Sequence, residues 1–226
     1  MDAPKELALQ DIKRNVPINT VSTPILEIGF GDGQFMDQLY HSGYIVAGTE
    51  ISELCVDKID VLHVAFVTTN PVEEPGYKNI DVVCCFEVIE HIENVQQFVN
   101  NFPGKTLYLS TPNPNRWYHR LTGKYEKWDF LPNHLQRFSI PYIEHLLKNA
   151  GYQEVIVSTT KVQAHTILRS FFSRSTDSDN YDDVRSQGCW FTKLARICAL
   201  PATIPFTFLL NLFGYEGSSY YVRATR

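Results

Sequence analysis

Between Ile25 and about Tyr152 the chain alternates short apolar runs with amphipathic or polar segments, the rhythm of repeated strand–helix units. "PILEIG", "YIVAGTE", "VLHVAFVT", "IDVVCCF", "KTLYLST" and "YQEVIVSTT" read in order as six strands. The fourth is almost wholly apolar, as a strand buried on both faces should be. Between them, Gln34 to Ser42 predicts a helix stopped by Gly43. Ser52 is placed to cap a short helix through Ile59, and "NVQQFVNNF" has helical spacing. A clearer helix begins at Ser139, a good N-cap, with Pro141 in the first turn. Ile143, Leu146, Leu147 and Ala150 form its apolar face, and Gly151 ends it. "SSYYVRAT" closes the chain as a further strand. This alternation implies an α/β fold with a doubly wound, mostly parallel sheet.

Three stretches depart from the rhythm. Residues 112–137 are aromatic-rich, punctuated by proline and weakly periodic, which predicts a cover loop carrying function more than a core element. Residues 173–187 are polar and acidic, a loop. They lead into an apolar run over 189–213 whose only charges are Lys193 and Arg196. From Leu194 to Phe213 this run nears the length of a spanning helix, about 20 residues. Pro201 and Pro205 interrupt it, and the chain must return to complete the sheet. Two accounts follow: helices packed on the domain or on a second subunit, giving a homodimer, or an interfacial helix in peripheral contact with a membrane.

Composition changes little in this picture but narrows the function. A chain of 226 residues with 44% hydrophobic and 20% charged residues suits one folded domain. A net charge of -5 argues against gripping a nucleic-acid backbone, so no nucleic-acid partner is expected. Five cysteines without a CxxC pair favour a reducing, cytoplasmic compartment, with Cys84 and Cys85 as core packing. The seven histidines show no metal-ligand spacing, so no metal is expected, and the N-terminus has no apolar segment of a secretory signal.

The candidate chemistry starts at "ILEIGFGDGQF". Gly29, Gly31 and Gly33 follow a buried strand and open a helix, so backbone N–H groups can face a ligand at close range. The spacing is GxGxG, where nicotinamide and flavin binders use GxGxxG, and the Lys-Ser/Thr pair of a P-loop is absent. Glu50 ends the next strand, where it can accept hydrogen bonds from both hydroxyls of a ribose.

Together "ILEIGFGDGQF", "GTEIS", "IDVVCCFEVIEHIEN" and "HLQRFSIPYIEHLLKNAGY" resemble the class I S-adenosylmethionine-dependent methyltransferases, in the branch that includes ubiquinone-pathway and glycan-cluster enzymes. The resemblance covers about residues 22–160 and the final strand. It implies a Rossmann-like, seven-stranded sheet with the last strand antiparallel; where the family needs only a short connection before that strand, this chain carries an insertion over 161–217 with a polar loop and an apolar helical segment. The resemblance also implies S-adenosylmethionine as cofactor, with Glu27 and the three glycines at its methionine part, Glu50 at its ribose, Ile51 beside it as a further cofactor contact, and Phe86 and Glu87 at the sulfonium. Where the family carries an Asp near the adenine, this chain offers Thr69 or Asn70. The Asn/Asp-Pro-Pro-aromatic motif of amino-methylating DNA and RNA enzymes is missing at the fourth strand end, which reads "CFEVIEH".

An oxygen acceptor must lose a proton during methyl transfer, which calls for a base, and histidine suits neutral pH. His91 and His134 are the candidates, each with an alternative role as a brace, and His119 is a third. Trp117, Tyr118, Tyr125 and Trp128 are candidates for an apolar wall around the acceptor, or for a small core of the cover loop. Arg116, Arg120, Lys124 and Lys127 interleave with them as a basic strip suited to an anionic acceptor, or as plain surface charge. The expectation is an enzyme methylating a small molecule or glycan, at oxygen ahead of nitrogen or carbon. A SAM-binding scaffold without turnover is the alternative.

Overall fold

A computed structural model describes residues 2–18, 23–57, 59, 64–69, 77–126, 129–172 and 203–226. Its strands are β1 (Ile25–Ile28), β2 (Val46–Thr49), β3 (Val67–Thr68), β4 (Val82–Phe86), β5 (Thr106–Pro112), β6 (Glu154–Lys161) and β7 (Glu216–Thr225). They form one seven-stranded sheet in the order β3-β2-β1-β4-β5-β7-β6. Neighbours from β3 to β5 run parallel, and β7 runs antiparallel to both β5 and β6. This is the Rossmann-like sheet expected from the alternation, with the final strand reversed. The third strand is shorter than "VLHVAFVT" suggested: only Val67–Thr68 pairs, while residues 61–63 lie outside the described residues.

Among the described residues the helices are α1 (Ala3–Asn15), which precedes β1, α2 (Gln34–His41), α3 (Glu53–Val56), α4 (Val95–Asn100), α5 (Trp117–Thr122), α6 (Ile140–Asn149) and α7 (Ala164–Phe172). Residues 203–212 add a further helix, α8. The α6 cap is as expected, with the Ser139 hydroxyl accepting from the Tyr142 N–H. The short α3 ends at Val56 rather than Ile59, and Ser52 sits at its N-cap without a side-chain bond.

The period-two alternation of the central strands separates two cores. Leu26, Ile28, Val83 and Cys85 face α4 and α6, together with Val99, Ile143, Leu146 and Leu147. Ile25, Val82, Cys84 and Phe86 face the other side, against Phe35 and Leu39 of α2 and Ala8, Leu9 and Ile12 of α1. The adjacent cysteines are thus fully buried, one in each core.

Helix α1 was not evident in the sequence, yet its signals are there: Asp2 caps the Lys5 N–H, and Pro4 lies in the first turn. Burying Leu9 and Ile12 contributes about 2 kcal/mol each. Asp11 accepts a hydrogen bond from the Tyr108 hydroxyl at 2.9 Å and meets Arg223 at 3.3 Å, fixing the helix against β5 and β7.

Candidate functional site at the strand ends

The chain leaves β1 through a tight turn. Gly29 has φ +72°, and a Cβ there would stand 2.4 Å from Cγ2 of Val88. The first glycine therefore allows backbone to pack against the segment after β4. Gly31, at φ +60°, is different: nothing lies within 4 Å of a Cβ built on it, so this part of the turn faces open space. Gly33 occupies the N-cap of α2 in the left-handed region. Glu50 clamps the loop: its Oε2 accepts from the Gly31 N–H at 2.9 Å and its Oε1 from the Ser52 N–H at 3.2 Å. Beside it the Ile51 side chain is 92% exposed. Thr69 is exposed beyond β3, and Asn70 lies outside the described residues.

Beneath the loop, Glu27 is fully buried and Lys5 of α1 reaches its Oε1 at 3.0 Å. The second oxygen, Oε2, has no hydrogen-bond partner. Burial pushes the Glu27 carboxyl up to about 7, with the Lys5 ammonium pulling it back. Lys5 itself is raised: burial, the largest single effect, lowers it, but the attraction and hydrogen bond of Glu27 together with the charges of Asp2 and Asp32 outweigh burial. The same ammonium lies 5.6 Å from the centre of the Phe86 ring and 5.9 Å from that of Phe35. Sequence reasoning passed over Lys5, although a lysine one turn into a Pro-started helix was there to be read.

At the end of β4 the backbone turns sharply. Glu87 takes φ +54°, a left-handed conformation that costs a non-glycine residue about 1–2 kcal/mol. Its Oε1 accepts from the Ser110 hydroxyl at 2.8 Å. Together with Asp2, Pro4, Thr160, His165 and Ser219 it lines a cleft of about 140 Å³.

A 3-10 turn over Ile89–His91 follows. Glu90 is fully buried: the Thr111 hydroxyl donates to its Oε2 at 3.1 Å, while Oε1 has no partner. Burial and the neighbouring Glu87 push its carboxyl up to about 9. The Glu90 carbonyl accepts from the N–H groups of Leu135 and Gln136 at 2.9 and 3.2 Å, and the Gln136 amide donates to the carbonyl of Ile92. These bonds lay the 129–137 segment along the turn and bring His134 beside His91, ring centres 5.1 Å apart. The His91 Nδ1–H donates to the Asn133 carbonyl at 2.5 Å, so its Nε2 carries the lone pair, 4.0 Å from Glu90 Oε1. The His134 Nδ1 is buried without a hydrogen-bond partner, 4.0 Å from Asp129 Oδ1. Burial lowers the His134 imidazole, with a further contribution from His91. One ligand atom each from Glu90, His91 and His134 lie within 4.8 Å of one another. The spacing of histidines along the chain could not register this grouping, because its donors come from two separate segments.

The aromatic segment divides. Trp117 and Tyr118 are buried with Val162, Ile167 and Leu210, so packing consumes the two side chains and removes them from an acceptor wall. Tyr125 is half-buried, its ring stacked on His119 at 4.0 Å with the Arg137 guanidinium 4.4 Å from its centre. Trp128 and Lys127 lie outside the described residues. The basic strip is also broken up. Arg116 is buried, paired with Glu126 at 2.6 Å and with Asp129, and Arg120 donates to the Gly214 carbonyl. Ion pairing neutralises Arg116, and only Arg120 and Lys124 of the strip remain as exposed charge among the described residues.

Sheet order, glycine turn and acidic residue after β2 define a class of fold, and comparison with known proteins agrees. Residues 2–157 match the model of a family described as methyltransferase domain. That is more than half of the chain, and the chain belongs to this family of class I S-adenosylmethionine-dependent methyltransferases. It is 37% identical over 101 residues to the ubiquinone biosynthesis O-methyltransferase of Rickettsia typhi, a stretch covering 39% of this chain and 41% of that protein. The match thus spans about two-fifths of that relative's length. Among solved structures it is similar to a SAM-dependent methyltransferase from Archaeoglobus fulgidus, with TM-score 0.59 and 16% identity over 98% of this chain and 94% of the other. It is also similar to the phosphoethanolamine N-methyltransferase 2 of Haemonchus contortus in complex with S-adenosyl-L-methionine, with TM-score 0.60, 16% identity, and 98% and 52% coverage. At these identities the structures establish the fold.

Proposed function

We propose that this chain transfers a methyl group from S-adenosylmethionine to a hydroxyl oxygen of a small organic acceptor. The observation that carries the donor side is the charge pair under the glycine loop. A buried anion with one unpartnered oxygen stands beside a cation, Glu27 next to Lys5. That pair matches the amino-acid end of S-adenosylmethionine, which bears one ammonium and one carboxylate. Gly31 leaves room for close approach, and Glu50 retains lone pairs beyond its two backbone bonds for ribose hydroxyls. Exposed Ile51 offers an apolar surface to an adenine, with Thr69 and Asn70 assigned to its edge. Phe86 already faces an ammonium and suits a sulfonium equally.

When bound, the cofactor supplies an electrophilic methyl group on sulfur. The chain's own task is to align an acceptor in line with it and to exclude water. Glu87, held in its strained turn, and the lone pairs of His91 and His134 stand at the acceptor side of β4, with His134 and His91 assigned to the hydroxyl proton. Tyr125, between His119 and Arg137, is the remaining aromatic candidate for the acceptor wall. The name of the Rickettsia relative supports oxygen over nitrogen or carbon. A lipid-like acceptor met at a membrane surface is favoured by α8, where Phe208 and Leu212 are 66% and 65% exposed. No helix among the described residues is long and apolar enough to cross a membrane.

Calorimetry with S-adenosylmethionine and S-adenosylhomocysteine tests the donor side. Affinity weaker than about millimolar for both ends this reading. Methyl addition to hydroxylated aromatic and glycan extracts, read by mass, tests the acceptor.

A further inference from the structure

We infer that Arg137 is the anion-binding residue of the acceptor site, and that the reacting end of the methyl acceptor is a small hydroxylated group bearing a carboxylate or phosphate. A cavity of about 320 Å³ lies along the 129–137 segment, where His134 and Arg137 line it together with Phe130, Leu131 and Leu135. It sets one cation and one imidazole against apolar walls. Ligand cavities run from about 300 to 1,000 Å³, so this one suits a head of single-ring size and leaves any tail outside.

Arg137 is ordered for a ligand that the chain does not itself supply. Its guanidinium lies 4.4 Å from the centre of the Tyr125 ring and 5.1 Å from that of Phe130, and the two rings stand at 85° to one another. Tyr125 is in turn stacked on His119. Ring contact holds the planar cation by its face and leaves its N–H fork at the edge, the part that pairs with carboxylate or phosphate oxygens. Among the described residues no carboxylate pairs with this guanidinium, and no hydrogen bond uses its N–H groups. Asp129, which also lines the cavity, is engaged elsewhere: it pairs with Arg116, and its Oδ2 accepts from the Glu126 N–H at 2.8 Å. A side chain already held by packing loses little freedom when it binds.

The position fits an acceptor. Burial lowers the His134 imidazole most, and the charges of His91, Arg116 and Arg137 lower it further against the pull of Asp129. Arg137 thus stands within electrostatic reach of the proposed base. An acceptor anchored by its anion at Arg137 lies along Phe130, Leu131 and Leu135 and brings its hydroxyl to His134. The basic strip read from sequence is broken up by the neutralisation of Arg116, and Arg137, outside that strip, supplies the cation instead. That the anion belongs to the methyl acceptor rests on the methyl-transfer reading, whereas the anion site stands on this geometry.

The test titrates the full chain by calorimetry with three probes of one shape: dihydroxyphenylacetate, dihydroxybenzylphosphonate and the uncharged dihydroxyphenylacetamide. At least one anion should bind tenfold or more tighter than the amide, the effect of a charge-assisted pair, and the tighter of the two separates carboxylate from phosphate. Arg137→Gln should erase that preference and leave amide affinity within twofold. Arg137→Met, which keeps an apolar stem across the rings, is the second variant and should do the same, with near-UV circular dichroism checking both folds. Lys124→Gln, which removes an exposed charge from the same segment, should bind all three probes as the parent does. Equal affinity of the parent for the three probes overturns the inference. So does an equal loss in Lys124→Gln, or a parallel loss of amide and anion binding in both Arg137 variants. S-adenosylhomocysteine affinity is measured separately. Its absence with the anion preference intact sinks the methyl-transfer reading and leaves the anion site, while its presence without the preference sinks only this inference.

Discussion

The glycine turn and the histidine–glutamate cluster lie at the same edge of the sheet but are built in opposite ways. The turn is assembled almost entirely from one contiguous stretch, Glu27 to Glu50, closed by hydrogen bonds from the Gly29 N–H to the Thr49 carbonyl and from the Gly31 N–H to the Glu50 carboxylate. The cluster joins two distant segments through bonds between the Glu90 carbonyl and residues 135 and 136. The first is held by local backbone conformation and the second by tertiary contact. Damage to the first should therefore appear in stability and donor affinity, and damage to the second in turnover.

The largest separation is expected from His134→Ala. Turnover should fall between about 100- and 10,000-fold, the range for losing a group that handles a proton in the transition state. Affinity for S-adenosylhomocysteine should stay within about twofold, since His134 sits on the other segment. Steady-state rates beside calorimetry make the comparison, and a matching loss of affinity would merge the two regions into one unit.

Gly29→Ala addresses the turn. The new methyl would stand 2.4 Å from Val88 Cγ2, at a φ of +72°. Strain and forced repacking together predict about 2–4 kcal/mol lost in urea unfolding. Gly31→Ala meets nothing within 4 Å and should cost only the conformational part, about 1–2 kcal/mol, while blocking the ligand. Equal destabilisation by the two would deny that Gly31 faces open space.

What the sequence revealed follows the same division. The glycine turn, Glu50 and the sheet were legible because alternating apolar runs and adjacent glycines are local signals. His91 and His134 were legible as residue types, but Glu90 between them was not. A glutamate in "EVIEHI" reads as surface charge, and only bonds from Leu135 and Gln136 to the same turn reveal its burial. Arg116 failed in the same way: its neighbours in sequence suggest a basic strip, whereas Glu126 and Asp129 fold back to neutralise it. Trp117 and Tyr118 are aromatic for the sake of a small core with α7 and α8, which no local pattern announces.

Lys5 tests whether the turn is as self-contained as it looks, because it enters from α1. If its ammonium meets the carboxylate of the donor, Lys5→Ala should weaken S-adenosylmethionine binding about tenfold, the worth of one charge-assisted hydrogen bond. Lys5→Arg should recover most of the loss. Tighter binding in Lys5→Ala would mean instead that the lysine competes with the donor's own cations for Glu27.

The smallest effect concerns the proton on Glu27. Its carboxyl sits near 7, so it is neutral below that pH and charged above it. Only the charged form attracts the donor's ammonium, so affinity should rise as pH increases through 7. If the neutral form does not bind, lowering the pH from 7.5 to 6 weakens binding roughly eightfold. Glu27→Gln should bind more weakly and lose this slope. Lys5→Ala should keep the slope but move it to higher pH, because the lysine is what pulls Glu27 down. Calorimetry of S-adenosylmethionine across that range decides it: a profile unchanged by Glu27→Gln would place the titrating group elsewhere and leave the buried pair as a packing element of α1.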